Sequence, residues 1–236
     1  MDKERVIYLE ETDSTNRFAE KLAMEGWEGL ICAGRQLEGR GRKDRGFISK
    51  DGGLYMSVVS GYPAEPDKFL CFPLFTALAV SDFLNGAYSI DTLIKWPNDI
   101  YYKGRKVCGI LMQMCRAGDK TYLITGVGIN LSNGISADIP YAADLKELTG
   151  KEFSAKDLAE PLADKINEYF GRGFTEKDEL LNEISKRCLT LGKRVRAEAF
   201  DIIGTAARLG ENGELVIRPD CGEEISVDFG DVVVEE

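Results

Sequence analysis

Apolar and polar positions alternate in some stretches of this chain and recur at helical spacing in others. Residues 5–10, Arg-Val-Ile-Tyr-Leu-Glu, read as a strand. Asp13 and Ser14 then offer N-cap oxygens to a helix with Phe18, Ala19, Leu22 and Ala23 on one face, ended by Gly26. Residues 30–36 and 54–60 read as strands, and 70–84 as an apolar helix with Pro73 near its first turn and Gly86 beyond its end. The patterns at 94–96, 105–113 and 122–130 predict further strands, joined by turns at Lys103-Gly104 and Ala117-Gly118-Asp119, so antiparallel hairpins follow. Ser154 with Asp157 resembles a capping box before Leu158, Leu162, Ile166 and Tyr169, and another helix runs from Glu176 to about Arg187. After Cys188 the pattern shortens to β-like pieces at 194–200, 205–209, 215–218 and 225–229, which suits a small β-barrel of about 50 residues. The expected fold is α+β: a mixed, mostly antiparallel sheet with helices on one face over residues 1–187, then a barrel over 188–236.

Composition narrows the chemistry. With 236 residues, 44% of them hydrophobic, the chain can bury a substantial core. No run of about 18 apolar residues occurs, so neither a membrane span nor a signal peptide is expected, and the expected location is the cytoplasm. Thirty basic and 40 acidic residues leave a net charge of −10, which opposes general attraction to nucleic acid or an anionic membrane. The six cysteines show no C-x-x-C spacing and read as reduced, structural thiols. The chain contains no histidine, which excludes Ser-His-Asp and Cys-His systems and every imidazole metal site. Catalysis must rest on Lys, Arg, carboxylates, amides and backbone.

Four segments stand out. Residues 39–53 hold five glycines and five basic residues, including Gly39-Arg40-Gly41-Arg42. On composition the segment is a solvated, mobile loop; as chemistry it is an anion clamp, because glycine lets backbone N–H groups approach and guanidinium forks match carboxylate and phosphate. Lys95-Trp96-Pro97-Asn98-Asp99 makes a good strand-to-turn sequence. Lys106 follows in the next β piece, before Cys108-Gly109-Ile110-Leu111, so two lysines on neighbouring strands are expected to face one pocket. Gly126-Val127-Gly128-Ile129-Asn130 suggests close backbone packing, and Asp13-Ser14-Thr15-Asn16 suggests a cap whose hydroxyls and N–H groups could also hold a small polar ring.

In order and spacing these segments resemble the biotin–protein ligase family from near residue 5 to the C-terminus. The resemblance implies a class II synthetase-like catalytic domain followed by an SH3-like barrel. It places biotin or its adenylate at Ser14, Thr15, Asn16, Gln36, Arg40, Gly41, Arg42, Lys106 and Gly109, and ATP at Lys95, Trp96, Asn98 and Asn130. Asp44 and Phe47 depart from the glycine and tryptophan the family often shows; Asp44 adds a negative charge inside the clamp, and Phe47 can still stack on a ring. The implied reaction adenylates biotin with Mg2+ and ATP, then passes it to a lysine of a biotin carboxyl carrier protein. Arg42 and Lys106 are the expected charge stabilisers, and Asp99 is the candidate to steer the incoming amine. No residue is assigned to Mg2+. The Asp-Ser-Thr-Asn element begins at residue 13, so a ligase without a DNA-binding domain and without a nucleic-acid partner is expected; a homodimer is left open. A lipoate–protein ligase and a non-catalytic adenylate-binding module are the alternatives.

Overall fold

The computed structural model describes residues 5–63, 69–228 and 232–235. Seven strands, β1 (Val6–Thr12), β2 (Gly29–Gln36), β3 (Leu54–Tyr62), β4 (Leu93–Lys95), β5 (Asp99–Tyr102), β6 (Arg105–Ala117) and β7 (Lys120–Ile129), form one sheet in the order β1-β2-β3-β7-β6-β5-β4. β1 and β2 are parallel, as a crossover through helix α1 (Thr15–Met24) permits, and all other neighbours are antiparallel. The sheet is therefore mixed and mostly antiparallel.

The helices cover both faces of this sheet rather than one. Helices α2 (Phe72–Tyr88), α4 (Ala155–Gly173) and α5 (Lys177–Arg187) bury Phe72, Phe75, Phe170 and Ile184 in one large cluster with Leu30, Val58 and Leu123 of the strands. Helix α1 buries Ala19 and Ala23 on the opposite side, against Ile31, Val59 and Ile124. Consecutive strand residues point to opposite faces, so strands apolar at consecutive positions need cover on both. A short α3 (Leu145–Thr149), capped by Asp144, was not legible in the pattern. Ser154 accepts from the Asp157 N–H, as a cap should. Helix α2 runs past Gly86 and ends where Ser89 takes a left-handed conformation at φ 55°.

One strand escapes the sequence pattern. Residues 99–102 form β5, a hairpin partner of β4, so the Pro-Asn-Asp turn is tighter than expected. Lys95 and Lys106 consequently lie on strands separated by β5 rather than on neighbours.

Beyond α5, the Leu189 N–H donates to the Ile94 carbonyl and the Thr190 hydroxyl accepts from the Trp96 N–H, tying the chain to β4. Strands β8 (Arg194–Ala197), β9 (Ile202–Leu209), β10 (Leu215–Pro219), β11 (Ile225–Val227) and β12 (Val232–Val234) then form an antiparallel sheet in the order β11-β10-β9-β8-β12. Among the described residues no pairing joins β11 to β12, and residue 229, the expected end of a strand, lies outside them. The two sheets meet at Trp96, whose indole N–H donates to the Gly213 carbonyl at 2.9 Å.

Candidate active site

On the α1 face, three glycines replace side chains and leave a floor. Ser57 of β3, Gly126 of β7 and Leu111 of β6 are in cross-strand register, and Asn16 of α1 lies over them. A Cβ at Gly126 would stand 2.3 Å from Asn16 Oδ1. Two residues along, Gly128 pairs with Gly109 and with Tyr55, and the Phe47 ring rests on this pair. A Cβ at Gly128 would meet Phe47 at 2.5 Å, and one at Gly109 would meet it at 3.0 Å. The G-x-G of β7 thus seats two side chains, Asn16 and Phe47, that line the same cavity.

At one end of the floor lies a buried polar network. Ser14 occupies the N-cap position, but its side chain makes no capping hydrogen bond, and Ser14, Thr15 and Asn16 are all buried. The expected capping role is therefore not taken up. Thr15 donates its N–H (2.8 Å) and hydroxyl (3.1 Å) to Gln36 Oε1, and Gln36 Nε2 donates to Ser49 Oγ at 2.8 Å. Asn16 Nδ2 donates to the Leu111 carbonyl (3.1 Å) and to Gln113 Oε1 (2.8 Å).

The other end is cationic. Residues 39–53 carry local order: the Gly41 N–H donates to the Arg45 carbonyl at 2.7 Å, the Phe47 N–H donates to the Gly39 carbonyl at 2.8 Å, and Lys43 turns the chain at φ 54°. Arg42 Nη1 donates to Asn98 Oδ1 at 3.3 Å, and Asn98 is held by its own donation to the Ile110 carbonyl at 2.6 Å. Lys106 Nζ and Asp99 Oδ1 are 2.7 Å apart, each about one-fifth exposed. The main chain of Lys106 is fixed too, since its N–H donates to the Tyr141 carbonyl and its carbonyl accepts from Ala143. Burial pushes the Tyr55 hydroxyl up to about 12, so it stays neutral and donates to the Lys50 carbonyl at 2.6 Å. Beneath the site, burial likewise raises the Cys108 thiol. All six cysteines are unpaired.

Together these segments enclose a cavity with about 820 Å³ of empty space, counting its open mouth. Ser14, Thr15, Asn16, Gln36, Arg40, Gly41, Arg42, Asn98, Asp99, Lys106 and Gly109 all line it. Lys95, Trp96 and Asn130 do not. Lys95 Nζ sits over the Tyr101 ring at 5.7 Å, on the far side of β5. Asn130 is buried and accepts from Asn133 Nδ2 at 3.0 Å. Trp96 lines a second, wider cavity between the two sheets, which shares Arg42, Asn98, Ile110 and Leu111 with the first. Sequence reasoning missed Ser57, Gln113 and Tyr141; only the alternation of β3 and β6 could have put the first two on the site face. The Asp44 side chain lies outside the described parts.

Comparison with known proteins agrees with this geometry. Residues 8–130 match the model of the biotin/lipoate A/B protein ligase family. The chain is 30% identical over 234 residues to a bifunctional ligase/repressor BirA of Bacillus spizizenii, covering 93% of this chain and 71% of that protein. It is 29% identical to a biotin–[acetyl-CoA-carboxylase] ligase of Paracoccus denitrificans, covering 92% and 95% of the two. Among solved structures, a biotin protein ligase from Aquifex aeolicus in complex with biotin and ATP superposes with a TM-score of 0.81 at 31% identity, over 98% of each chain. The match to the family model over residues 8–130 and the similarity to these relatives along nearly the whole chain place it: the chain belongs to the biotin/lipoate A/B protein ligase family.

Proposed function

We propose that this protein is a biotin–protein ligase, which joins biotin to AMP and then transfers it to a lysine of a biotin carboxyl carrier protein. The carrying observation is the buried polar end of the cavity, formed by Ser14, Thr15, Asn16 and Gln36. A cyclic urea offers N–H donors and a carbonyl to such groups. The dithiolane of lipoate offers neither and would desolvate these polar groups without giving a hydrogen bond in return, which a site built for hydrogen bonding disfavours. Relatives named as biotin ligases, and the Aquifex complex with biotin and ATP, support the same reading.

The first step brings the biotin carboxylate against the α-phosphate of ATP, two anions that repel by about 1 kcal/mol at 4 Å in water and by more in a closed site. Arg40, Arg42 and Lys106 offset that repulsion from the cationic end, with Asn98 orienting Arg42. Lys106 is paired with Asp99 here, so the substrate anion takes over a charge the protein already holds in place. Asp99, once released, is placed to steer the acceptor amine. The ATP contact assigned by resemblance to Lys95 and Asn130 passes in this reading to Arg42, Lys106 and Asn98, which line the cavity. Mg2+ would accompany ATP on phosphate oxygens and water, since the described residues hold no cluster of three acidic or thiol ligands. We read residues 188–236 as a separate SH3-like domain. We also place the reaction in the cytoplasm, where the unpaired thiols stay reduced; among the described residues no helix is long and apolar enough to cross a membrane.

One incubation tests the proposal: ATP, radiolabelled biotin and a carrier domain, with lipoate in a parallel arm. Label on the carrier from biotin alone is the expected result. Labelling from lipoate instead would reverse the substrate, and neither label nor pyrophosphate release would leave a binding module.

A further inference from the structure

Two side chains that do not line the cavity decide what its polar end presents. Asn16 Nδ2 faces the Leu111 carbonyl at 3.1 Å, and a backbone carbonyl can only accept, so the amide nitrogen must lie on that side. Its second N–H goes to Gln113 Oε1 at 2.8 Å. Both donors of Asn16 are therefore spent inside the protein, and Oδ1 is left on the opposite side. There Ser57 Oγ lies 2.7 Å from Asn16 Oδ1 and 2.8 Å from Thr15 Oγ1. A hydroxyl carries one proton and can serve only one of these acceptors at a time. The Thr15 hydroxyl proton is itself committed to Gln36 Oε1. At any moment either Asn16 Oδ1 or Thr15 Oγ1 retains acceptor capacity, at a buried site lined by both residues.

We propose that Gln113 and Ser57 are positioning residues for substrate recognition: they lock the Asn16 amide with its carbonyl toward the ligand, so that the site selects a ring bearing N–H donors. This rests on the biotin reading above. It adds that specificity is imposed from β6 and β3, one layer behind the residues that touch the substrate. Without the Gln113 acceptor, one Asn16 N–H loses its partner, and the amide gains reason to rotate and offer the ligand a donor where an acceptor is needed.

The test uses ATP–pyrophosphate exchange by the full chain, with biotin varied and octanoate, a carboxylate with no urea ring, as a competitive inhibitor. Gln113→Met keeps the length but removes the acceptor; it should raise the KM for biotin about 10-fold, the usual worth of one hydrogen bond to a polar ligand group, with kcat and the KM for ATP within about twofold. Gln113→Glu, which still accepts, should restore the biotin KM to near the parent value. Ser57→Ala, with no strain on the strand, should raise the biotin KM in the same way. The octanoate inhibition constant should stay unchanged in all three. The inference is overturned if the biotin KM is unaltered in Gln113→Met and Ser57→Ala, if Gln113→Glu is as impaired as Gln113→Met, or if octanoate weakens by the same factor as biotin. Absence of biotin-dependent exchange in the parent protein would instead reject biotin as the substrate, a separate outcome.

Discussion

The same strands serve two different purposes on the two faces of the seven-stranded sheet. Toward α2, α4 and α5, strand β3 presents Leu54, Met56 and Val58 to the large aromatic and aliphatic cluster. Its alternate residues include Tyr55 and Ser57, which meet the Phe47 ring and the Asn16 amide. Strand β7 does likewise, with Leu123 and Val127 in the core and Gly126 and Gly128 beneath the site. A strand turns successive side chains to opposite faces, so packing and chemistry can be specified independently, residue by residue. One face carries the larger core, and the other, packed under α1 by a smaller apolar cluster, is kept low and polar beneath the cavity.

The comparison is tested most severely on the packed face. Phe75→Ala, at a side chain with no exposure, should cost about 3–5 kcal/mol of stability in urea unfolding, while the biotin KM of the folded protein stays the same. A loss of substrate affinity without a loss of stability would mean the two faces are not separate. On the site face the converse holds. Lys106→Ala should leave the unfolding transition nearly in place but lower kcat/KM for pyrophosphate exchange by about 2–4 kcal/mol of transition-state stabilisation. Near-normal exchange would remove Lys106 from the charge-stabilising role. Gly126→Ala sharpens the comparison further, because its new Cβ collides with Asn16 Oδ1 rather than with the core. A displacement of that size at the polar end of the cavity, where we propose the biotin ring binds, should reduce exchange about 10²-fold while the helices on the far face remain folded by circular dichroism. The mildest effect concerns residues 39–53. Their glycines and mutually repelling cations should open to protease between residues 40 and 45 in the free protein, and biotin with ATP should slow that cleavage. Equal cleavage with and without ligands would show that the local bonds already close the loop.

Much of the site was legible because its residue types are chemically narrow. A glycine-arginine repeat, a Lys-Trp-Pro-Asn-Asp turn and a chain without histidine leave few reactions beyond charge-driven joining of anions. Lys95 shows where such reading fails. It stands in the Lys-Trp-Pro-Asn-Asp motif, whose spacing predicts a pocket shared with Lys106, yet β5 intervenes between their strands, and its ammonium lies over Tyr101 instead of in the cavity. Asn130 likewise falls just past β7, outside the lining of this cavity, and its side chain accepts from Asn133.

The sequence by itself determined the longer strands and helices, though not β5 or α3, together with the acidic balance, the absence of imidazole chemistry and the segments able to clamp an anion, because these follow from local pattern and side-chain chemistry. Only the tertiary structure decided which residues meet. The register that sets Ser57 of β3 beside Gly126 of β7 joins distant segments and nothing local encodes it, whereas the tight turn between β6 and β7 aligns Gly126 with Leu111. The cover on both sheet faces depends likewise on how strands order in space, as does the choice of Asn98 rather than Lys95 as a neighbour of Arg42. Cross-strand pairing is a long-range contact, and a chain read residue by residue does not reveal its partners.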